Sequence, residues 1–251
     1  MDGEGEGRAN LLAGARWEVR TLLGRYPAIA LPLLRARRGD GFLAPIRAET
    51  EIVIEGFPRS GNTFAVAAFH LAQEPADVQI AHHAHVPAQL LEAVRLGLPA
   101  VVLVRAPEEC VLSLVVRAPS LGLGGVLRGW VRFHEPLVRV RHRLVVATFE
   151  DATTDVGGIV RTVNERFGTR FHEFERTPEN LARVKDLIER GDLNTFGTAE
   201  GAERGGGLPA SRREALKDGL RAAYRRPDLR RLRRRAERLY GELTGGSAGA
   251  T

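Results

Sequence analysis

Three stretches of the chain carry residues that could bind a negatively charged group or move a proton. The first is Ile52-Val-Ile-Glu-Gly-Phe-Pro-Arg-Ser-Gly-Asn-Thr-Phe64, an apolar run, a tight loop and a helix start. That order aims successive backbone N–H groups and the positive end of a helix dipole at one spot, which is how proteins cradle phosphate. Gly61 permits an unusual φ and close approach of a ligand, Ser60 and Thr63 add hydroxyl donors, and Arg59 adds a planar fork of charge. The Gly-Lys-Ser/Thr of a nucleoside-triphosphate loop is absent at the required spacing, so a nucleotide triphosphatase is disfavoured. An ordinary strand-to-helix turn is the plain alternative.

The second stretch is Val102-Leu-Val-Arg-Ala-Pro-Glu-Glu-Cys-Val-Leu-Ser113. An arginine ending a buried strand, with a serine on the first turns of the next helix, makes an anion site at the carboxyl edge of a sheet. Arg105 and Ser113 are that pair. The third stretch is His82-His-Ala-His-Val-Pro87. Were it extended, His83 and His85 would share one face and His82 the other. A metal site would want a further carboxylate or histidine that no spacing supplies. Hydrogen-bonded histidines at a strand end, or a catalytic base, are the other two readings.

Together these blocks carry a resemblance. Phe57-Pro-Arg-Ser-Gly-Asn-Thr-Phe64 resembles the 5′-phosphosulfate loop of the sulfotransferases that use 3′-phosphoadenosine 5′-phosphosulfate (PAPS), Pro-Lys/Arg-Ser-Gly-Thr/Ser-Thr and then an aromatic or aliphatic residue. The segment from Val102 to Ser113 is similar to the family's 3′-phosphate block, with Arg105 and Ser113 at the family offset and Pro107 in place. Ala106 and Glu108-Glu109-Cys110 depart from it, where the family commonly has Asp or Asn, then a basic residue and Asp. His83-Ala-His-Val-Pro-Ala-Gln-Leu-Leu91 resembles the family's Lys-Thr-His-Leu-Pro segment. His85 then falls on the general base, and His83 replaces a lysine. Ala147-Thr-Phe-Glu-Asp151 resembles a Tyr-Glu-Asp block near the adenine, with Phe149 keeping the aromatic face and losing the hydroxyl. Glu150 reads as a buried structural carboxylate. Arg204 matches the first position of a late Arg-Lys-Gly loop.

The resemblance implies PAPS as cosubstrate, no metal, and transfer of a sulfonate group to a hydroxyl of a small-molecule, lipid or carbohydrate acceptor. Arg59 and the N–H groups of Ser60, Gly61, Asn62, Thr63 and Phe64 would hold the 5′-phosphosulfate, with Arg59 neutralising the departing phosphate oxygen. Arg105, Ser113 and Arg204 would hold the 3′-phosphate, and Phe149 would face the adenine. His85 would deprotonate the acceptor, a task that suits an imidazole of near-neutral pKa. A non-catalytic nucleotide- or polyanion-binding protein that keeps the anion loops is the alternative.

The elements that must position these residues are legible in the rest of the chain. Its 251 residues are 43% hydrophobic and 27% charged, which suits one sizeable soluble domain rather than disorder or a coiled coil. Four apolar runs, 51–56, 78–82, 100–105 and 144–149, alternate with helical patterns. They predict strands buried on both faces of a mainly parallel sheet in a three-layer α/β sandwich. The resemblance makes this the P-loop NTPase-like sulfotransferase fold. From residue 155 the pattern is helical, with helices at 156–167, 178–190, 211–224 and 229–243. The organisation expected is an N-terminal helical segment over 1–50, with a helix at 11–23, and a sulfotransferase-like domain over 51–244. A mobile loop is expected at 197–207 and a disordered tail at 245–251.

The net charge of +6 rests on arginine, since Lys185 and Lys217 are the only lysines. Seven arginines fall in the eleven residues 225–235, but Leu229, Leu232, Ala236, Leu239 and Leu243 form a helical stripe, so they read as a solvated helix face rather than a nucleic-acid arm. Cys110 has no partner for a disulfide, and the acidic start lacks a signal peptide's basic and apolar regions. A cytoplasmic protein is expected. The apolar run 27–34 is too short to span a bilayer. Bracketed by Arg25 and Arg35, it predicts either a packed helix and turn or contact with a membrane surface.

Overall fold

The computed structural model describes residues 2–36, 43–196 and 211–245. Two helices, α1 (Asp2–Leu23) and α2 (Pro27–Ala36), precede strand β1 (Ile52–Gly56). Then follow α3 (Asn62–Gln73), β2 (Ile80–His82), α4 (Pro87–Leu96), β3 (Ala100–Val104), α5 (Pro107–Arg117), α6 (Gly122–Val138) and β4 (Val145–Thr148). The remainder is helical: α7 (Phe149–Thr154), α8 (Val156–Phe167), α9 (Pro178–Phe196), α10 (Ser211–Tyr224) and α11 (Arg230–Thr244).

All four strands are parallel and lie in the order β2-β1-β3-β4. Each lies within its apolar run and is one or two residues shorter, where a loop leaves the ladder. The runs are continuously apolar because both faces are covered. Ile52, Ile54, Val101, Leu103, Val145 and Ala147 pack with α3, α8 and α9. Val53, Val102 and Val104 point the other way, into a core with α4, α5 and α6. The three-layer α/β sandwich is therefore the observed architecture.

The order of the strands locates the ligand edge. From β1 the chain goes outward to β2 by α3, then returns past β1 to β3 by α4, on the opposite face. Right-handed crossovers running in opposite directions require opposite faces. The reversal falls between β1 and β3, and open α/β sheets hold ligands outside the carboxyl ends of the strands at such a point. Gly56 closes β1 there. A Cβ on it would lie 2.6 Å from the carbonyl oxygen of Leu103, so only glycine lets the two strands approach.

The N-terminal helices pack on the same core. Trp17 is buried against α6 and donates from Nε1 to the Gly125 carbonyl (3.0 Å). Ala30, Leu31 and Leu34 of α2 are buried, so the run 27–34 does form a packed helix. Ala44 makes an antiparallel bridge to His82 at the sheet edge. At the other end α11 buries Ala236, Leu239 and Leu243, the expected stripe, beginning one residue after Leu229. Helix α9 runs six residues past the expected end at 190. Helix α7 was not expected; Thr148 starts it through a capping box with Asp151. The loop 197–207, with Arg204, and the tail from 246 lie outside the described residues. Among the described residues no single helix is long and apolar enough to cross a membrane.

Candidate functional site

The loop from Phe57 to Gly61 is held by its own backbone and by α5. The Ser60 N–H donates to the Phe57 carbonyl (3.2 Å), and Asn62 Nδ2 donates to the same oxygen (3.2 Å). The Ser60 side chain is fully buried, its Oγ 3.7 Å from the Cys110 sulfur, and the Cys110 thiol reaches the Pro58 carbonyl at 3.2 Å. Ser60 thus supports the loop, and neither its amide nor its hydroxyl is presented as expected. Burial pushes the Cys110 thiol up to about 11, outweighing Arg105 and Arg59 nearby, so it stays protonated at neutral pH.

Helix α3 begins with Gly61 in the left-handed region (φ 92), and no side chain caps it. The first helical bond runs from Ala65 N–H to the Gly61 carbonyl. The amides of Gly61, Asn62, Thr63 and Phe64 therefore form the open N-terminal turn, where an anion is most stable. The Phe64 ring packs on the core beneath α3.

Arg59, Arg105, Ser113 and Phe149 meet at the mouth of the β1–β3 crevice. Arg59 Nε donates to Ser113 Oγ (3.1 Å), and Arg105 Nη1 donates to the Arg59 carbonyl (3.1 Å). The Arg105 guanidinium lies 4.0 Å over the Phe149 ring, which also lines Gly61. The two arginines, expected at separate anion sites, form one hydrogen-bonded group, because Arg59 at φ 74 sends its side chain across to α5. Glu108 and Glu109 receive Lys217, Arg221 and Arg225 at 2.8 to 3.4 Å, so their departure from the family pattern is matched by basic residues from α10 and its end.

The histidine segment is not extended. His83 and His85 have φ of 56 and 50, which breaks the expected alternation. Instead His83 Nδ1 lies 2.7 Å from His82 Nδ1, and its Nε2 lies 3.4 Å from Thr63 Oγ1. Burial, and then the neighbouring His85 and His82, hold His83 well below the usual histidine range. It is neutral at pH 7 and does not replace a lysine's charge.

His85 is held differently. Its Nδ1 lies 2.8 Å from the Gly56 carbonyl oxygen and 3.5 Å from Glu55 Oε1. A carbonyl can only accept, so Nδ1 carries a proton, and in the neutral ring the lone pair lies on Nε2. Glu55 is fully buried in β1 and accepts from Gly56 N–H (3.0 Å), Ala84 N–H (2.8 Å) and Gln89 Nε2 (3.1 Å). Arg20 of α1 donates to the Ala84 carbonyl at 3.0 Å. The residues on either side of Ala84 are thereby fixed from two elements. Reading the sequence for motifs missed Glu55; its one signal is an acid inside an otherwise apolar strand run.

Arg59, His83 and His85 are the only non-glycine residues at positive φ among those described, and all three lie at this edge. Such conformations cost about 1 to 3 kcal/mol each and gather where surrounding structure imposes a geometry. One expected position falls elsewhere. Glu150 is exposed on α7 rather than buried, because the chain turns into a helix at Phe149. Among the described residues no group of three or more His, Cys, Asp or Glu side chains could hold a metal ion.

No family model matches this chain, and no curated protein matches it in sequence. Among solved structures it is similar to mouse sulfotransferase SULT7A1 complexed with PAP, at 13% identity over 87% of this chain and 90% of that chain, with a TM-score of 0.42.

Proposed function

We propose that the protein transfers a sulfonate group from PAPS to a hydroxyl of a small-molecule, lipid or carbohydrate acceptor. The observation that carries the reading is the convergence, at one strand-order reversal, of an uncapped helix N-terminus, the Arg59–Ser113–Arg105 group and a histidine with Nε2 left as acceptor. Two basic or N–H-rich centres side by side suit a ligand with phosphate at both its 5′ and 3′ positions.

In this reading the amides of Gly61, Asn62, Thr63 and Phe64 and the Thr63 hydroxyl hold the 5′-phosphosulfate. Arg105 and Ser113 hold the 3′-phosphate, and Phe149 borders the adenine. Arg59 rests with the 3′-phosphate set, and its guanidinium serves the leaving oxygen by turning from Ser113 toward α3. His85 Nε2 takes the acceptor proton while the acceptor oxygen bonds to sulfur and the sulfur–phosphate oxygen bond breaks. The electron pair of that bond leaves on the phosphate, where fixed donors stabilise it. Glu55 lies beside Nδ1 and steadies the imidazolium that results.

Isothermal titration of the intact protein with 3′,5′-adenosine diphosphate tests the donor site, and absence of binding overturns the reading. A second reading, nucleotide or polyanion binding without transfer, is favoured by the neutral, buried His83 in the lysine position. Transfer of labelled sulfonate to a mixed acceptor panel separates the two.

A further inference from the structure

Helix α5 carries an acid within its own candidate anion site. Glu109 and Ser113 lie one turn apart on the same face of the helix, and Glu109 Oε2 is 3.9 Å from Nη2 of Arg105. A carboxylate there lowers the pull of Arg105 on an anion and competes for its guanidinium. Glu109 nevertheless stands off from Arg105, with both its oxygens held from α10. Lys217 Nζ lies 2.8 Å from Oε2, the oxygen nearer Arg105, and Arg221 Nη1 lies 2.8 Å from Oε1.

Of the two cations, Lys217 is the one committed to Glu109. Arg221 also meets Glu108 (3.1 Å) and Asp218 (3.0 Å), so its charge is divided among three acids. Among the described residues Lys217 has one further acidic partner, Glu214 (2.7 Å), whose side chain is 59% exposed and therefore screened by water. The Lys217 side chain itself is only 4% exposed, a costly place for an ammonium unless carboxylates meet it. Lys185, the other lysine of the chain, is exposed on α9. With Arg225, which meets Glu108, the group holds four acids and four cations, Arg105 among them. Without Lys217, acid is in excess beside the site.

We propose, on the reading that Arg105 and Ser113 hold a 3′-phosphate, that Lys217 is a positioning residue for that phosphate: it restrains and neutralises the Glu109 carboxylate and so leaves Arg105 to the ligand. Isothermal titration of the full chain with 3′,5′-adenosine diphosphate, and with 5′-adenosine monophosphate, which lacks the 3′-phosphate, tests it. Lys217→Met keeps the apolar stem of the buried side chain. It is expected to weaken the diphosphate by about tenfold and the monophosphate by less than about twofold, whereas a loss of packing alone would move both alike. In a Glu109→Gln background the same substitution is expected to cost less than about twofold, because the carboxylate it restrained is gone. Glu109→Gln alone keeps the shape and leaves Lys217 its Glu214 partner; it is expected to bind the diphosphate at least as tightly as the parent chain. Equal losses for the two nucleotides, or a tenfold loss that persists with Glu109→Gln, overturn the proposal. Should Lys217→Met fail to fold, weaker diphosphate binding by Glu109→Gln overturns it. A parent chain that does not bind the diphosphate overturns the donor site itself; one that binds it and is indifferent to Lys217→Met overturns the role of Lys217 alone.

Discussion

The carboxyl edge of the sheet and the face where α6 meets α11 and α1 are both rich in arginine and histidine, and they use those residues in opposite ways. On the α6 face the arginines are paired with carboxylates, two to each: Arg25 and Arg235 meet Glu135, and Arg128 and Arg132 meet Glu18. His134 is fully buried, stacked 3.8 Å from Trp130, and burial pushes it down to about 3 against the opposing bond to the Trp130 carbonyl. At the carboxyl edge Arg59 donates to a hydroxyl, Arg105 to a carbonyl and to a ring face, with its one carboxylate contact, Glu109, no closer than 3.9 Å. His85 keeps its side chain 20% exposed with one nitrogen anchored. Residue type does not separate the two regions; how closely a carboxylate approaches does, 3.9 Å at Arg105 against 2.7 Å at Arg128. A cation held mainly by weaker contacts keeps more of its charge for a ligand.

The largest effect that could break this contrast is on His85. His85→Ala should lower sulfonate transfer by about 10²- to 10⁴-fold while leaving nucleotide affinity intact, read by labelled-donor assay and titration. Retained turnover removes His85 from the base role. Next, Arg105→Ala should weaken 3′,5′-adenosine diphosphate by roughly 10- to 100-fold, the worth of a charged hydrogen bond. Arg235→Ala, on the α6 face, should stay within about twofold in the same titration; equal losses would erase the distinction.

Glu55→Gln keeps the shape and removes the charge beside His85. Transfer should fall by about tenfold, because the imidazolium formed as His85 takes the proton loses the carboxylate beside Nδ1. Unchanged transfer would remove Glu55 from that role. The remaining effect is on acid stability rather than on the site. His134 has a folded value near 3 against an ordinary 6.5, so the unfolded chain binds the extra proton between those values. Stability is then full above about 6.5 and falls as pH drops, by up to about 1.4 kcal/mol per unit from this group. His134→Phe should flatten denaturation midpoints measured from pH 7 to 4.

The sequence made the sheet legible because strands buried on both faces leave unbroken apolar runs, and β3, buried throughout, is the clearest case. It also placed Arg59, Arg105, Ser113 and His85, whose spacing along the chain reflects the reversal between β1 and β3. What it hid depends on partners distant in the chain. Ser60 looks like an anion donor until Cys110, fifty residues on, covers its hydroxyl. The alternation assumed for His83 and His85 presumes a strand neighbour, whereas Ala84 is bonded to Glu55 and Arg20 instead. Glu108 and Glu109 look anomalous without α10. Helix α7 was readable, since Thr148 and Asp151 stand at capping-box spacing, but the apolar run into Phe149 masked it.

The contact between Ser60 and Cys110 gives the protein a built-in clock. Cys110 is the only cysteine in the chain, sealed beneath the loop by Pro58 and Ser60 and held as thiol by burial. A thiol-reactive dye can therefore label the native molecule only when the packing around Cys110 opens, as when the loop lifts from α5, and the labelling rate counts those openings without any engineered probe. A ligand that bridges α3 and α5 should slow that count, whatever its chemistry, and a ligand bound elsewhere should leave it running at the same pace.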